Sequence, residues 1–113
     1  MIARIVMATG LTTLGVFQAG LALGRPWGAA SYGGAHSGVL PGHLRLSSAV
    51  AAPVYLGVAA AVGIGSRAGL GALATVMAVA TIPNALSPAR AEKVWAPVCA
   101  AIAWAAWSEK RRR

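Results

Sequence analysis

Residues 47–83 read SSAVAAPVYLGVAAAVGIGSRAGLGALATVMAVATIP. Two apolar runs, Ser47 to Gly65 and Ala68 to Pro83, are separated by little more than Ser66-Arg67. Each is close to the roughly 20 helical residues that cross a hydrocarbon core. They are continuous and Ala-rich, without the apolar/polar alternation of a transmembrane strand. Ala is the best helix former, and Gly and Pro are more frequent in membrane helices than in soluble ones. The break is short, which predicts a tight antiparallel hairpin.

The same reading extends outward. Ile2 to Gly24 forms a run interrupted by Arg4 and by Thr9, Thr12, Thr13 and Gln18. It exceeds the roughly 7–15 apolar residues of a signal peptide, so it is expected to stay as a span. Val94 to Trp107 is short, but Ser87-Pro88 offers an N-cap and a first helical residue. The expected spans are 2–24, 47–65, 68–83 and 88–107, followed by a basic tail at 108–113. The fold class is all-α, a single domain forming a four-transmembrane-helix bundle.

Composition supports this. Of 113 residues, 58% are hydrophobic and 11% charged, and mean hydropathy is +0.67. Soluble domains carry about 25% charged residues, and a chain this short buries too little of its surface to hide so much apolar area. The net charge is +8, yet the basic residues lie in breaks between apolar runs rather than on one face, which excludes nucleic acid as the expected partner. Four spans place Arg4, Arg67, Lys110, Arg111, Arg112 and Arg113 on one side, and Arg25, Arg45, Arg90 and Lys93 on the other. The larger group favours cytoplasmic termini. Lys110 to Arg113 is read as a topology anchor that also meets anionic lipid headgroups. Trp27, Tyr32, Trp95, Trp104 and Trp107 fall where interfacial aromatics belong.

Small residues suggest packing faces. Gly20, Gly24 and Gly28 recur at four-residue spacing, and Ala96, Cys99, Ala100 and Ala103 make a small face on the last span. Pro53 and Pro97 are expected to bend spans two and four. The connection Arg25 to Leu46 is far longer than the usual 2–8 residues between helices. Its glycines and prolines cannot lie bare in lipid. Trp27, Tyr32, Val39, Leu40 and Leu44 point to an ordered, Gly-rich outer cap.

In this region the chain resembles a family of small uncharacterised bacterial membrane proteins expected to have four helices. The carrying residues are Phe17-Gln18, Gly24-Arg25-Pro26-Trp27-Gly28, Gly33-Gly34 and Gly38-Val39-Leu40-Pro41 with Leu44-Arg45 and Ser47-Ser48. Asn84, Ser87 and Trp95-Ala96-Pro97-Val98 extend the pattern. The resemblance implies a multi-pass protein of the bacterial inner membrane. It implies no activity.

The chemical inventory is thin. Cys99 is the one cysteine and reads as a small buried hydrophobe. Asp is absent, so no Ser-His-Asp set exists. No phosphate-binding Gly motif is present. His36 and His43 lie in the long connection without the third or fourth ligand a metal normally needs, so no metal or cofactor is expected. Gln18 and Tyr55 sit inside spans. Gln18 is expected to bond a neighbouring helix, Asn84 or Arg25, at about 0.6–2 kcal/mol, or else to mark a solute path. Glu92 and Glu109 are placed in interfacial turns, where pairing is worth little. The candidate polar site is Gln18, Arg25, Trp27, Tyr32, His36, His43, Arg45, Tyr55 and Asn84. The expected function is a non-catalytic structural, accessory or partner-binding membrane module, alone, as a homo-oligomer or with a membrane partner. The alternative is a small-solute transporter or channel acting as a homo-oligomer. A lipid or quinone enzyme using His36 or His43 as base is a third reading.

Overall fold

The computed structural model describes residues 2–113. Among the described residues the chain is all-helical. The long elements are α1 (Ile2–Ala22), α2 (Gly42–Ala61), α3 (Arg67–Leu86) and α4 (Trp95–Arg112). Helices α1, α2 and α3 are long and apolar enough to cross a membrane. Helix α1 packs on α2 and on α4, and α4 packs on α3. The core is a stripe along α1, Ala3, Met7, Leu11 and Leu14, closed by Leu70, Ala74 and Met77 of α3 and by Ile102 and Ala106 of α4. Spacings of three and four keep each set on one helix face.

Helix α1 ends where Gly24 permits it to. Gly24 has φ +92°. Its N–H donates to Leu21 O (3.2 Å), and Arg25 N–H donates to Gly20 O (2.9 Å). This is a Schellman end, which needs a left-handed residue at that point. Gly20 and Gly28 are likewise spent locally. A Cβ on Gly20 would run into the Trp27 ring, and one on Gly28 into the His36 carbonyl. The expected Gly20/Gly24/Gly28 helix-packing face is therefore corrected. Close helix approach comes instead at Gly10, against Ile102, and at Gly15, against Leu56.

Several boundaries differ from the sequence reading. Helix α2 starts at Gly42 rather than Ser47, because Pro41 is extended (φ −63°, ψ 158°) and leads into the first turn. Helix α3 does not stop at Pro83 but runs to Leu86. Proline removes one ladder bond, while Thr81 Oγ1 and Asn84 Nδ2 bond the carbonyls of Met77 (2.9 Å) and Ala80 (2.8 Å) on either side. Helix α4 begins at Trp95, after a 3-10 turn at Glu92–Val94, and not at Pro88. Ser87 Oγ accepts from Ala89 N–H (3.1 Å), so Ser87 closes a turn after α3 instead of capping α4. Pro97 then falls in the first turn of α4, where its missing N–H costs nothing. The residues 108–113 are no loose tail, since α4 continues to Arg112.

The small face expected on α4 shifts too. Cys99, Ile102, Ala105, Ala106 and Glu109 are its buried residues, whereas Ala100 is exposed. The largest correction concerns α2 and α3. Ser66 caps α3 by accepting from Gly69 N–H (3.0 Å), so the connection is as short as expected. The two helices nevertheless diverge and share no closely packed face. An apolar groove of about 440 Å³ separates them, walled by Val54, Tyr55 and Val58 on one side and Leu73, Val76 and Met77 on the other, with Leu11 at its floor.

Candidate functional site

The residues 23–41 fold over one end of the bundle. Gly28 N–H donates to Gly38 O (2.8 Å), which closes the segment into a loop. Trp27 stacks parallel to Phe17, with ring centroids 6.0 Å apart, and Trp95 tilts against the same ring at 4.6 Å. Trp95 Nε1–H donates to Ala30 O (3.1 Å), and Gly33 N–H donates to Glu92 Oε2 (3.1 Å). The loop is thereby tied to the segment that leads into α4. Tyr32 holds a left-handed backbone (φ 47°) next to Gly33 and Gly34, also positive. A non-glycine residue there is strained. Its hydroxyl reaches the fully buried Ser48 Oγ (3.5 Å).

Beneath Tyr32 lies a cavity of about 190 Å³ to which all four helices contribute. Gln18 comes from α1, Tyr55 from α2, Asn84 from α3 and Cys99 from α4, with Glu92 at the loop side. Asn84 Nδ2 donates to Ala80 O and faces Cys99 Sγ at 3.9 Å. Gln18 Oε1 is buried and has no donor within hydrogen-bonding distance among the described residues. An acceptor left so costs about 1–3 kcal/mol. The cavity therefore offers an acceptor to a ligand or water that donates a hydrogen bond. One lining residue, Glu92, carries a negative charge, and none is cationic.

Of the nine candidate residues, Gln18, Tyr32, Tyr55 and Asn84 meet at this cavity. The other five do not. Trp27 packs on the outside of Phe17. Arg25 lies over the Trp27 ring, 5.4 Å from its centroid. Arg45 donates from Nε and Nη2 to Ala22 O (3.2 and 3.1 Å) and so caps the C-terminus of α1. That placement satisfies orphan carbonyl charge with a cation. His36 and His43 are exposed. Glu92, Cys99 and Ser31 line the cavity without having been singled out. The sequence signal for Cys99 was its place one turn after Trp95.

The opposite end gathers the N-terminus of α1, the α2–α3 connection and the C-terminus of α4. Glu109, expected in an interfacial turn, is 4% exposed inside α4. Its Oε1 accepts from Arg4 Nε (3.2 Å) and from Arg113 Nη2 (3.2 Å). Burial alone would raise its pKa, but the hydrogen bonds and charges of Arg4 and Arg113 outweigh that and hold it below the usual carboxylate range. The Arg113 guanidinium also donates to the carbonyls of Gly65, Val62 and Gly63. Lys110 Nζ lies 5.0 Å from the Trp107 ring centroid. Arg111 and Arg112 remain exposed, so the basic cluster divides into an internal clasp and an outward pair.

No family model, curated protein or solved structure matches the chain.

Proposed function

We propose that this chain is a multi-pass protein of the bacterial inner membrane that acts as a non-catalytic binding module, with both termini cytoplasmic and residues 23–41 forming an ordered outer cap. The observation that carries the reading is the outward face of the bundle. Ile5 (58%), Val16 (56%), Leu46 (67%), Val54 (59%), Val76 (58%) and Ile82 (58%) are all more than half exposed. Exposed apolar side chains spread over α1, α2 and α3 in this way need lipid or protein against them. The long dimension of the molecule, 42 Å, suits a bilayer with its headgroups, about 40–45 Å. Arg67, Lys110, Arg111 and Arg112 cluster at one end, where positive charge belongs on the cytoplasmic side and contributes about 1 kcal/mol each toward anionic lipid. The 18-residue α4 is the least apolar member. Its exposed Trp104 and Trp107 suit the headgroup zone, and its charged last turn lies beyond the hydrocarbon.

Binding suits the cavity better than catalysis. Its carboxylate is engaged by Gly33 N–H, and the exposed histidines stand outside it. Conduction through one bundle is disfavoured by the packing of Met7, Leu11, Met77 and Ile102 between the cavity and the basic end. The test is fractionation with topology mapping. The chain is expected in membranes after alkaline carbonate washing. A periplasm-active reporter is expected to be silent at the C-terminus and active when inserted at Ser37. Monodisperse chain in plain buffer, or termini in opposite compartments, overturns the proposal.

A further inference from the structure

The cavity and the α2–α3 groove adjoin, since Ala51 and Tyr55 line both. One end of the joint space is polar and has Tyr32 on its cap side. The other is apolar and opens sideways, along Gly69 to Met77 of α3, a run of about 12 Å at 1.5 Å per residue. The polar end holds the orphaned Gln18 Oε1 and the Glu92 carboxylate, with no cationic side chain in the lining. Glu92 Oε2 already accepts from Gly33 N–H at the loop side. The free acceptor is therefore the neutral Gln18 oxygen, which takes an uncharged donor, while an anionic headgroup would meet repulsion and no counter-charge. Its volume, about 190 Å³, is several times the roughly 30 Å³ share of a water molecule, enough for a small headgroup but not for a second helix. The groove, lined almost wholly by aliphatic side chains, suits an acyl chain.

We infer that the joint space binds a single-chain lipid with an uncharged, hydroxyl-bearing headgroup, such as a monoacylglycerol. The headgroup donates to Gln18 Oε1 beneath the cap, and the chain lies between Val54 and Val76 toward the basic end. Its direction is that of a lipid in the leaflet on the cap side. This inference rests on the membrane reading above and adds a ligand class to it.

The experiment uses the full chain extracted from membranes, with native mass spectrometry in the presence of monooleoylglycerol or of lysophosphatidic acid with the same oleoyl chain. Monooleoylglycerol is expected to be retained at one per chain, and lysophosphatidic acid to be lost. Gln18→Leu removes the acceptor while keeping the bulk, and is expected to weaken retention about fivefold or more. Val54→Trp fills the groove from an exposed position and is expected to abolish retention with helix content unchanged by circular dichroism. Equal retention of the phosphorylated lipid, or no effect of either substitution, overturns the inference. So does a dimer that forms without lipid and is lost on Val54→Trp, because the groove is then filled by a second copy. Absence of the chain from membranes sinks the membrane reading itself, whereas a membrane-resident chain without the lipid sinks this inference alone.

Discussion

The two ends of the bundle are held by different physics. At the cap end, most contact is made by aromatic rings and by backbone approaching backbone, Trp27 on Phe17, Trp95 on Ala30 O and Gly28 beneath the His36 carbonyl, with Glu92 and Arg45 each bonding a backbone group. At the basic end, one buried carboxylate, Glu109, draws together Arg4 and Arg113, and Arg113 carries the link on to the α2–α3 connection. The first kind of contact depends on shape and hardly at all on pH. The second depends on charge, and its geometry tolerates small displacements that the first does not. An end built on close fit is the better place to hold a shaped cavity, and an end built on charge the better place to meet an ionic surface.

This contrast can be broken at its strictest point. Gly28→Ala places a Cβ against the backbone carbonyls of His36 and Gly38, which cannot move aside as a side chain would. The expected loss is about 3 kcal/mol, at the upper part of the range for overpacking, read from thermal unfolding in detergent. Loss of the cavity should accompany it.

The basic end is tested by pH. The Glu109 carboxyl has its pKa lowered in the folded chain. The unfolded chain, with a carboxylate near about 4.3, therefore binds the proton more readily. The Glu109 contribution is complete above that value and is lost as pH falls through the lower folded value. Melting temperature is expected to fall below about pH 4.3, and Glu109→Gln is expected to remove that part of the fall while lowering stability at neutral pH. A wild-type profile that the substitution leaves unchanged in shape would show that the clasp is not held by charge.

Smaller effects sharpen the comparison. Trp95→Phe keeps the ring against Phe17 but deletes the donor to Ala30 O, and should cost about 1 kcal/mol, with a matching rise in amide exchange over residues 28–34. His36→Ala and His43→Ala remove exposed side chains and should stay within about 0.5 kcal/mol. A loss several times larger for either histidine would mean that the cap relies on a side chain that lies exposed here.

Much of the fold was legible in the sequence. Unbroken apolar runs marked the helices, but Gly24 was read as part of a packing face, whereas a helix terminus that needs a left-handed residue selects glycine there. Pro83 misled because a proline near a helix end looks like a stop, whereas Thr81 and Asn84 bond neighbouring carbonyls and the helix continues. Ser87-Pro88 misled in the opposite sense, because the same pair also closes a turn. At the site, Gln18 and Tyr55 stood out as polar residues inside apolar runs, and Asn84 as a polar residue at the end of one. Arg45 and Arg25 were equally conspicuous, and nothing in their spacing distinguished a helix cap or a ring-stacked cation from a cavity wall. Glu109 was placed in an interfacial turn beside the charged Lys110, yet it faces inward on α4 in register with Cys99, Ile102 and Ala106.

Taken alone, the sequence determined that the chain is helical, and among its four expected spans are the three helices, α1, α2 and α3, that are long and apolar enough to cross a membrane. Those properties are local: helix hydrogen bonds close within four residues, and apolar character accumulates residue by residue. Only the tertiary structure decided that α2 and α3 part despite their short connection, and that Gln18, Tyr55, Asn84 and Cys99 meet. Those outcomes depend on how far each helix rotates about its axis, and close contacts between distant residues, such as Gly10 on Ile102 and Gly15 on Leu56, set that rotation.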